Sequence, residues 1–161
     1  MKITIEAVDA ADRKVRPDDN NLGFGKYFTD HMFVMEYDAG EGWHDARIVS
    51  YGDFSFDPAA MALHYGQAIF EGLKAYRDPG DGIRLFRPLD NLGRMNRSAV
   101  RMCMPEFDTE TVLEGCESWS VSMPTGSLGL RGQASISGRL WLPPRPVSGC
   151  VLPPDISFSS F

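Results

Sequence analysis

Hydrophobic and polar positions follow regular periods most clearly in one stretch of the chain, between Leu63 and Met102. Where this stretch begins, apolar residues recur at helical spacing, which predicts a helix from Pro58 to about Phe70. Gly72 then predicts a turn, because glycine adopts dihedral angles that other residues avoid. The apolar face of this predicted helix consists of Met61, Leu63, Tyr65, Ala68 and Ile69.

A β-hairpin is predicted next. In Leu73–Arg77 and in Ile83–Arg87, apolar and polar residues alternate, as in strands with one buried face. The sequence DPGDG between them is rich in residues that favour turn dihedral angles. The two stretches are therefore predicted to pair as antiparallel strands.

The following stretch predicts a basic amphipathic helix. Asp90 is predicted to cap its N-terminus, because a short carboxylate side chain can accept hydrogen bonds from the first backbone N–H groups. The apolar stripe is formed by Leu92, Met95, Ala99 and Met102, and the opposite face carries Arg94, Arg97 and Arg101.

Further elements are predicted on both sides of this stretch. Residues 1–21 are predicted to hold at most a weak strand or an arm, and Asp108 is predicted to cap another helix that begins at Thr109. The order β-β-α-β-β-α predicts an α+β domain with helices packed on an antiparallel sheet. The first two strands are predicted within Leu22–Tyr37 and Trp43–Tyr51, with a turn at Asp38–Gly42.

Composition narrows the possible classes of function. With 161 residues, the chain can form one ordinary core. A net charge of −6 argues against nucleic-acid binding, and no apolar run reaches the roughly 18 residues that span a membrane. The three cysteines are widely spaced and form no metal motif, and the N-terminus lacks a signal-peptide pattern. We therefore expect a cytoplasmic protein without membrane or nucleic-acid partners.

The character of the sequence changes after Gly115. Residues 116–161 contain six of the eleven prolines and ten serines, and they show neither a helical nor an alternating period. This composition predicts a disordered or non-native tail, because such a segment buries too little apolar surface to offset its chain entropy. The predicted domains are therefore residues 1–115 and a tail, 116–161.

Three segments of the N-terminal part carry a specific resemblance. FGKYFTDHM, ALHYGQAIFEGLKAYR and LFRPLDNLGRMNRSAVRMCMPEFD resemble the branched-chain amino-acid aminotransferases, from roughly Asp18 to Gly115. The resemblance implies the small N-terminal domain of a fold-type-IV enzyme that uses pyridoxal 5'-phosphate and is typically a homodimer. It also implies transamination between Leu, Ile or Val and 2-oxoglutarate, since the cofactor carries the amino group and stabilises the Cα carbanion.

The resemblance also implies roles for individual residues. Arg94 would bind the cofactor phosphate, because a guanidinium group matches phosphate oxygens with a planar fork of donors. Tyr65, Phe70 and Phe24 would line the pocket for the substrate side chain. Lys26 and Lys74 do not occupy the place of the family's Schiff-base lysine, which lies in the second domain. We therefore expect no catalytic residue in this chain and no activity of the fragment alone.

The codons of the tail permit another reading. Read one nucleotide earlier, Gly115–Leu128 permits LRKLVSVDADWVP, Gln133–Leu140 permits SLYIRPT, and Val147–Leu152 permits LGVRP. The family continues past this point with a Leu-rich helix, then Asp…Trp-Val-Pro, Ser-Leu-Tyr-Ile-Arg-Pro and Leu-Gly-Val segments, in this order and at this spacing. We interpret residues 116–161 as an out-of-frame translation without a selected fold.

Two alternatives remain open from the sequence. The chain could be an interaction module that pairs with full-length subunits. It could also come from a related fold-type-IV enzyme, such as a D-amino-acid aminotransferase or an aminodeoxychorismate lyase. His31 and His64 lie in strongly patterned segments, and we interpret both as structural residues.

Overall fold

A computed structural model describes residues 1–15, 27–77 and 82–122, together with three later strands whose backbone alone is described. Only the backbone is described for Tyr27, Lys74, Arg77 and residues 121–122 as well. The elements in chain order are β1 (Thr4–Ile5), β2 (Tyr27–Phe28), β3 (His31–Asp38), β4 (Gly42–Ser50), α1 (Met61–Tyr65), β5 (Ala68–Arg77), β6 (Ile83–Leu85), α2 (Pro88–Arg101), α3 (Thr109–Ser122), β7 (Gln133–Trp141), β8 (Gly149–Leu152) and β9 (Asp155–Ile156).

The strands form a seven-stranded sheet with the order β1-β4-β3-β8-β7-β5-β6 and a small sheet of β2 and β9. All neighbours are antiparallel except β1, which runs parallel to β4. Helices α2 and α3 pack on this sheet and share one core with β3, β4 and β5. The predicted α+β class is confirmed. No helix in the described part of the chain is long and apolar enough to cross a membrane.

The β3–β4 hairpin agrees with the prediction. Its two strands pair from His31 opposite Ser50 to Asp38 opposite Gly42, and the register shifts between Val34 and Glu36. The β5–β6 hairpin is also confirmed, since Ala75, Tyr76 and Arg77 pair with Leu85, Arg84 and Ile83.

The helix predicted from Pro58 to about Phe70 is wrong over half of its length. Helix α1 ends at Tyr65, because Gly66 takes a left-handed conformation with φ of 60°, and β5 begins at Ala68. Ile69 was assigned to a helical face, but with Leu73 and Ala75 it forms the buried side of a strand. Gly72 lies inside β5 and makes no turn.

The start of α2 also differs from the prediction. Asp90 lies in the first turn and does not cap the helix; Arg87 occupies the cap position with φ of 49°. Pro88 explains the difference, because its fixed φ and missing N–H suit the first helical position. The predicted apolar stripe is confirmed, since Leu92, Met95 and Ala99 are buried.

Helix α3 begins as predicted and continues further than predicted. The Asp108 carboxylate accepts hydrogen bonds from the Thr111 backbone N–H at 2.9 Å and from its hydroxyl at 2.6 Å. The helix then runs past Gly115 to Ser122, and it buries Cys116 and Trp119 in the core. Helix α3 therefore crosses the predicted boundary at Gly115, and the backbone of β7 to β9 follows it in the chain, while the predicted out-of-frame origin of residues 116–161 stays a prediction.

Candidate functional site

Arg94 lies on the exposed face of α2 and forms a two-point ion pair with Glu71 of β5. Its Nε donates to Glu71 Oε2 at 3.1 Å, and its Nη2 donates to Glu71 Oε1 at 2.7 Å. The hydrogen bonds to Glu71 are the main cause that raises the pKa of Arg94 above its ordinary value. The two bonds to Glu71 therefore hold the charged guanidinium in one plane.

Glu71 is itself held by two further donors. Its Oε1 accepts from the Gly72 backbone N–H at 3.1 Å and from Asn91 Nδ2 at 3.3 Å. The same Asn91 amide donates to the Gly72 carbonyl at 2.6 Å, so it ties α2 to the edge of β5. The Glu71 side chain is only 16% exposed, whereas that of Arg94 is 51% exposed.

A cleft of about 410 Å³ opens beside this pair. It contains a second arginine, Arg87, whose Nε donates to Asp90 at 2.5 Å. Two guanidinium groups at one opening suit an anionic ligand, because each can offer several N–H donors to phosphate or carboxylate oxygens. The cleft is lined by Gly72, Tyr76, Phe86, Arg87, Asp90, Asn91 and Arg94.

Of the three predicted pocket residues, the two that lie in the described part of the chain, Tyr65 and Phe70, are both exposed. Tyr65 is 75% exposed at the end of α1, and Phe70 is 58% exposed in β5. Alternation along β5 places Phe70 on one face and Glu71 on the other, toward α2. Phe24 and Lys26 lie outside the described residues.

The histidines serve the fold in different ways. His31 is buried, and its Nε2 accepts a hydrogen bond from the Val8 backbone N–H at 3.0 Å. His64 Nε2 lies 2.6 Å from the Pro58 carbonyl oxygen. Among the described residues, no group of three or more His, Cys, Asp or Glu side chains could hold a metal ion.

Sequence reasoning missed Glu71 and Asn91. A signal for Glu71 was available, because it is the one acidic residue among Ile69, Leu73 and Ala75 on the buried side of β5. A charged side chain on an apolar face is seldom buried without a partner. For Asn91 the sequence offers no comparable signal, since it lies beside the apolar stripe of α2.

Comparison with curated proteins finds strong sequence similarity over the N-terminal part. Branched-chain-amino-acid aminotransferase 2 of Bacillus subtilis is 54% identical over 114 residues, which is 71% of this chain and 31% of that protein. The chain therefore spans about a third of the length of this relative. No family model matches the chain. The resemblance of the N-terminal residues to branched-chain aminotransferases is confirmed.

Solved structures show the same fold. The branched-chain amino acid aminotransferase of Escherichia coli has a TM-score of 0.54 at 21% identity, covering 81% of this chain and 41% of that one. A T.th. branched-chain amino acid aminotransferase complexed with N-(5'-phosphopyridoxyl)-L-glutamate has a TM-score of 0.54 at 20% identity, covering 76% and 40%. A fold IV transaminase from Curtobacterium pusillum has a TM-score of 0.54 at 18% identity, covering 76% and 42%. The predicted fold type IV is thereby confirmed.

Proposed function

We propose that residues 1–115 form the small domain of a branched-chain amino-acid aminotransferase and that Arg94 binds the phosphate of pyridoxal 5'-phosphate. The observation that carries the proposal is the placement of Arg94 at the cleft, in a segment 54% identical to such an enzyme over 114 residues. The phosphopyridoxyl ligand of the T.th. aminotransferase structure supports the choice of cofactor.

The residues at the cleft fit a phosphate group. Within the described residues, the bonds of Arg94 to Glu71 use Nε and Nη2, so Nη1 retains two N–H donors. When bound, the cofactor supplies the chemistry by carrying the amino group and stabilising a carbanion at the substrate Cα. The task of Arg94 is to anchor and orient the phosphate end.

The substrates and cellular setting are part of the same proposal. Tyr65, Phe70 and Phe24 would contact the side chain of Leu, Ile or Val, with 2-oxoglutarate as amino acceptor. Their apolar rings favour branched alkyl groups over water. The enzyme is proposed to be a cytoplasmic homodimer. No lysine lines the cleft in the described residues, so we expect the 161-residue chain alone to bind phosphate ligands without catalysing transamination.

The first experiment measures binding of pyridoxamine 5'-phosphate, which cannot form imines with surface lysines. Arg94→Gln should weaken binding by at least about tenfold, the usual effect of losing a charge-assisted hydrogen bond. Arg97→Gln, an exposed arginine on the same helix, is the matched control and should bind as the natural chain does. Equal affinity of the Arg94 variant would overturn the assignment.

We also propose that residues 116–161 arise from a frame change near codon 115. The support is the order and spacing of the three family-like blocks in the alternative reading. Sequencing the DNA across codons 110–120 should reveal a one-base difference that opens this frame. If the printed frame is confirmed, the tail is genuine, and a pull-down against a full-length aminotransferase then tests the interaction-module alternative.

A further inference from the structure

Glu71 accepts four hydrogen bonds from three directions, although it lies on the apolar side of a strand. The donors are the Gly72 backbone N–H, the Asn91 amide and two nitrogens of Arg94. The flanking side chains on the same side of β5, Ile69 and Leu73, are buried in the core. The carboxylate is therefore held by Gly72 of β5 and Asn91 of α2, independently of its bonds to Arg94.

The geometry at Arg94 follows from this anchoring. A carboxylate that accepts from both Nε and Nη2 fixes the plane of the guanidinium as well as its distance. In the described residues, the two bonds to Glu71 use the Nε–H and one Nη2–H, which leaves the two N–H groups of Nη1 and the second of Nη2 for other partners. The side chain of an arginine without such a partner samples many rotamers. A ligand that binds it must then offset the entropy lost when the side chain is restricted to one of them.

We propose that Glu71, braced by Asn91, is a positioning residue that holds the Arg94 guanidinium in the orientation in which it receives a phosphate group. The inference rests on the proposed function of Arg94. Glu71 makes no bond to the phosphate; it acts through Arg94, and Asn91 acts through Glu71 and the Gly72 carbonyl.

An opposing effect makes the inference testable. The negative charge of Glu71 repels a phosphate dianion, so its removal would strengthen binding if charge alone mattered. Its removal weakens binding if orientation of Arg94 matters more. Glu71→Gln shows which effect is larger, because the amide loses the negative charge and offers one acceptor oxygen in place of two.

The experiment measures the affinity of the 161-residue chain for pyridoxamine 5'-phosphate in four variants. Arg94→Gln should weaken binding most, and Glu71→Gln should weaken it about tenfold through loss of a charge-assisted bond to Arg94. Glu36→Gln is the matched control: it removes the carboxylate partner of Arg47 in the β3–β4 hairpin, which does not line the cleft, and should change affinity less than about twofold. Asn91→Ala should weaken binding to a smaller extent than Glu71→Gln. This variant tests the positioning role if the Glu71 variant does not fold.

A second readout separates positioning from a merely structural role. In the ligand-free natural chain, the Arg94 Nε–H signal in a nitrogen-detected NMR spectrum should exchange slowly with solvent, because it is hydrogen-bonded. In Glu71→Gln this protection should fall while the midpoint of urea unfolding stays close to that of the natural chain. A merely structural clamp would lower the midpoint and leave the affinity of the folded fraction unchanged.

The outcomes separate the two proposals. If Arg94→Gln binds normally, both the phosphate assignment and the positioning role are overturned. If Arg94→Gln loses affinity but Glu71→Gln binds equally well or more tightly, only the positioning role is overturned. Loss of affinity together with loss of Nε–H protection in Glu71→Gln, with the control unchanged, supports it.

Discussion

In the β3–β4 hairpin Arg47 pairs with Glu36, whereas at the junction of β5 and α2 Arg94 pairs with Glu71. Arg47 also donates Nη1 to the Asp45 carbonyl at 3.0 Å, so both of its terminal nitrogens bond within the hairpin. The bonds that Arg94 makes to Glu71 involve only Nε and Nη2. The same pair of residue types thus stabilises a sheet in one place and leaves donors beside a cleft in the other.

This contrast extends to the surrounding elements. We call β3, β4 and α3 the core side, and β5, β6 and α2 the cleft side. On the core side, polar groups bond to backbone atoms in the interior, as when Trp119 Nε1 donates to the His31 carbonyl at 3.0 Å. On the cleft side, charged side chains meet at the surface. Substitutions of these polar and charged side chains should therefore affect mainly stability on the core side and mainly ligand binding on the cleft side.

The largest effect is expected at Gly115, compared with Gly93. A Cβ at Gly115 would lie 2.5 Å from the ring of buried Phe33, so Gly115→Ala should lower the free energy of unfolding by about 1–3 kcal/mol. A Cβ at Gly93 would lie 3.7 Å from its nearest neighbour, Arg97 Nη1, which is an ordinary contact distance. Gly93→Ala should therefore raise the free energy of unfolding by about 0.5–1 kcal/mol, because alanine loses less backbone entropy in a helix than glycine does. Urea unfolding of both variants checks this. If Gly115→Ala and Gly93→Ala changed the free energy of unfolding by similar amounts, the prediction that packing is tighter at Gly115 would be wrong.

An intermediate effect is expected at the starts of the two helices. Asp108→Ala removes the cap of α3 and should cost about 1 kcal/mol. Asp90→Ala removes only an exposed pair with Arg87 and should change stability by less than about 0.5 kcal/mol.

The acid dependence of the Asp108 variant provides a check by urea unfolding at several pH values. The bonds from Thr111 lower the pKa of Asp108, so its contribution is present above its ordinary pKa and is lost as pH falls through the lowered one. The difference between the natural chain and Asp108→Ala should therefore shrink in strong acid. If Asp90→Ala lowered the free energy of unfolding as much as Asp108→Ala does, the prediction that Asp108 alone of the two caps a helix would be wrong.

The smallest effect is local and concerns the N-terminal segment next to β3. His31 Nε2 accepts a bond from Val8 and must be unprotonated to do so. Burial lowers the pKa of His31 in the folded chain. The negative charge of Asp30 raises this pKa and the positive charge of Arg13 lowers it further, but burial is the largest cause. The docked segment is therefore fully stable above the ordinary histidine pKa of about 6.5 and is progressively destabilised as pH falls below it.

Hydrogen exchange measures this effect directly. The protection factor of the Val8 amide should fall between about pH 7.5 and 5.5, on either side of the ordinary histidine pKa. His31→Gln is the control, because a glutamine oxygen can accept the same bond without titrating. A protection factor that does not change with pH in the natural chain would contradict the prediction.

Part of the fold was predictable because it depends on local pattern. The alternation in Trp43–Tyr51, the stripe of Leu92, Met95 and Ala99, and the cap at Asp108 each involve residues close together in sequence, and the structure confirms them. The helix predicted across Ala68 and Ile69 was wrong, since a short apolar run fits either period. The structure resolves it as a strand because Ala68 and Ile69 pair with Trp141 and Leu140 of β7.

The site shows the same division. The role of Arg94 in phosphate binding could be proposed because short contiguous motifs resemble a known family. The pocket roles of Tyr65, Phe70 and Phe24 rest on the same resemblance and remain proposals. The partners of Glu71 and Asn91 could not be assigned, because their bonds to Arg94 and Gly72 join residues about twenty positions apart in the chain; the sequence indicated only that Glu71, on an apolar face, needs a partner. The termination of α1 at Gly66 was also invisible, since glycine permits a left-handed conformation but does not require it.

The sequence by itself determined the α+β class, both hairpins, the apolar stripe of α2 and the similarity to branched-chain aminotransferases. These properties follow from periods of two and of about 3.6 residues and from contiguous motifs, which a linear chain displays directly. Only the tertiary structure decided that α3 continues past Gly115 into the core and that Glu71 holds Arg94 at the cleft. Both depend on packing between elements distant in sequence, where the available partner determines what each side chain does.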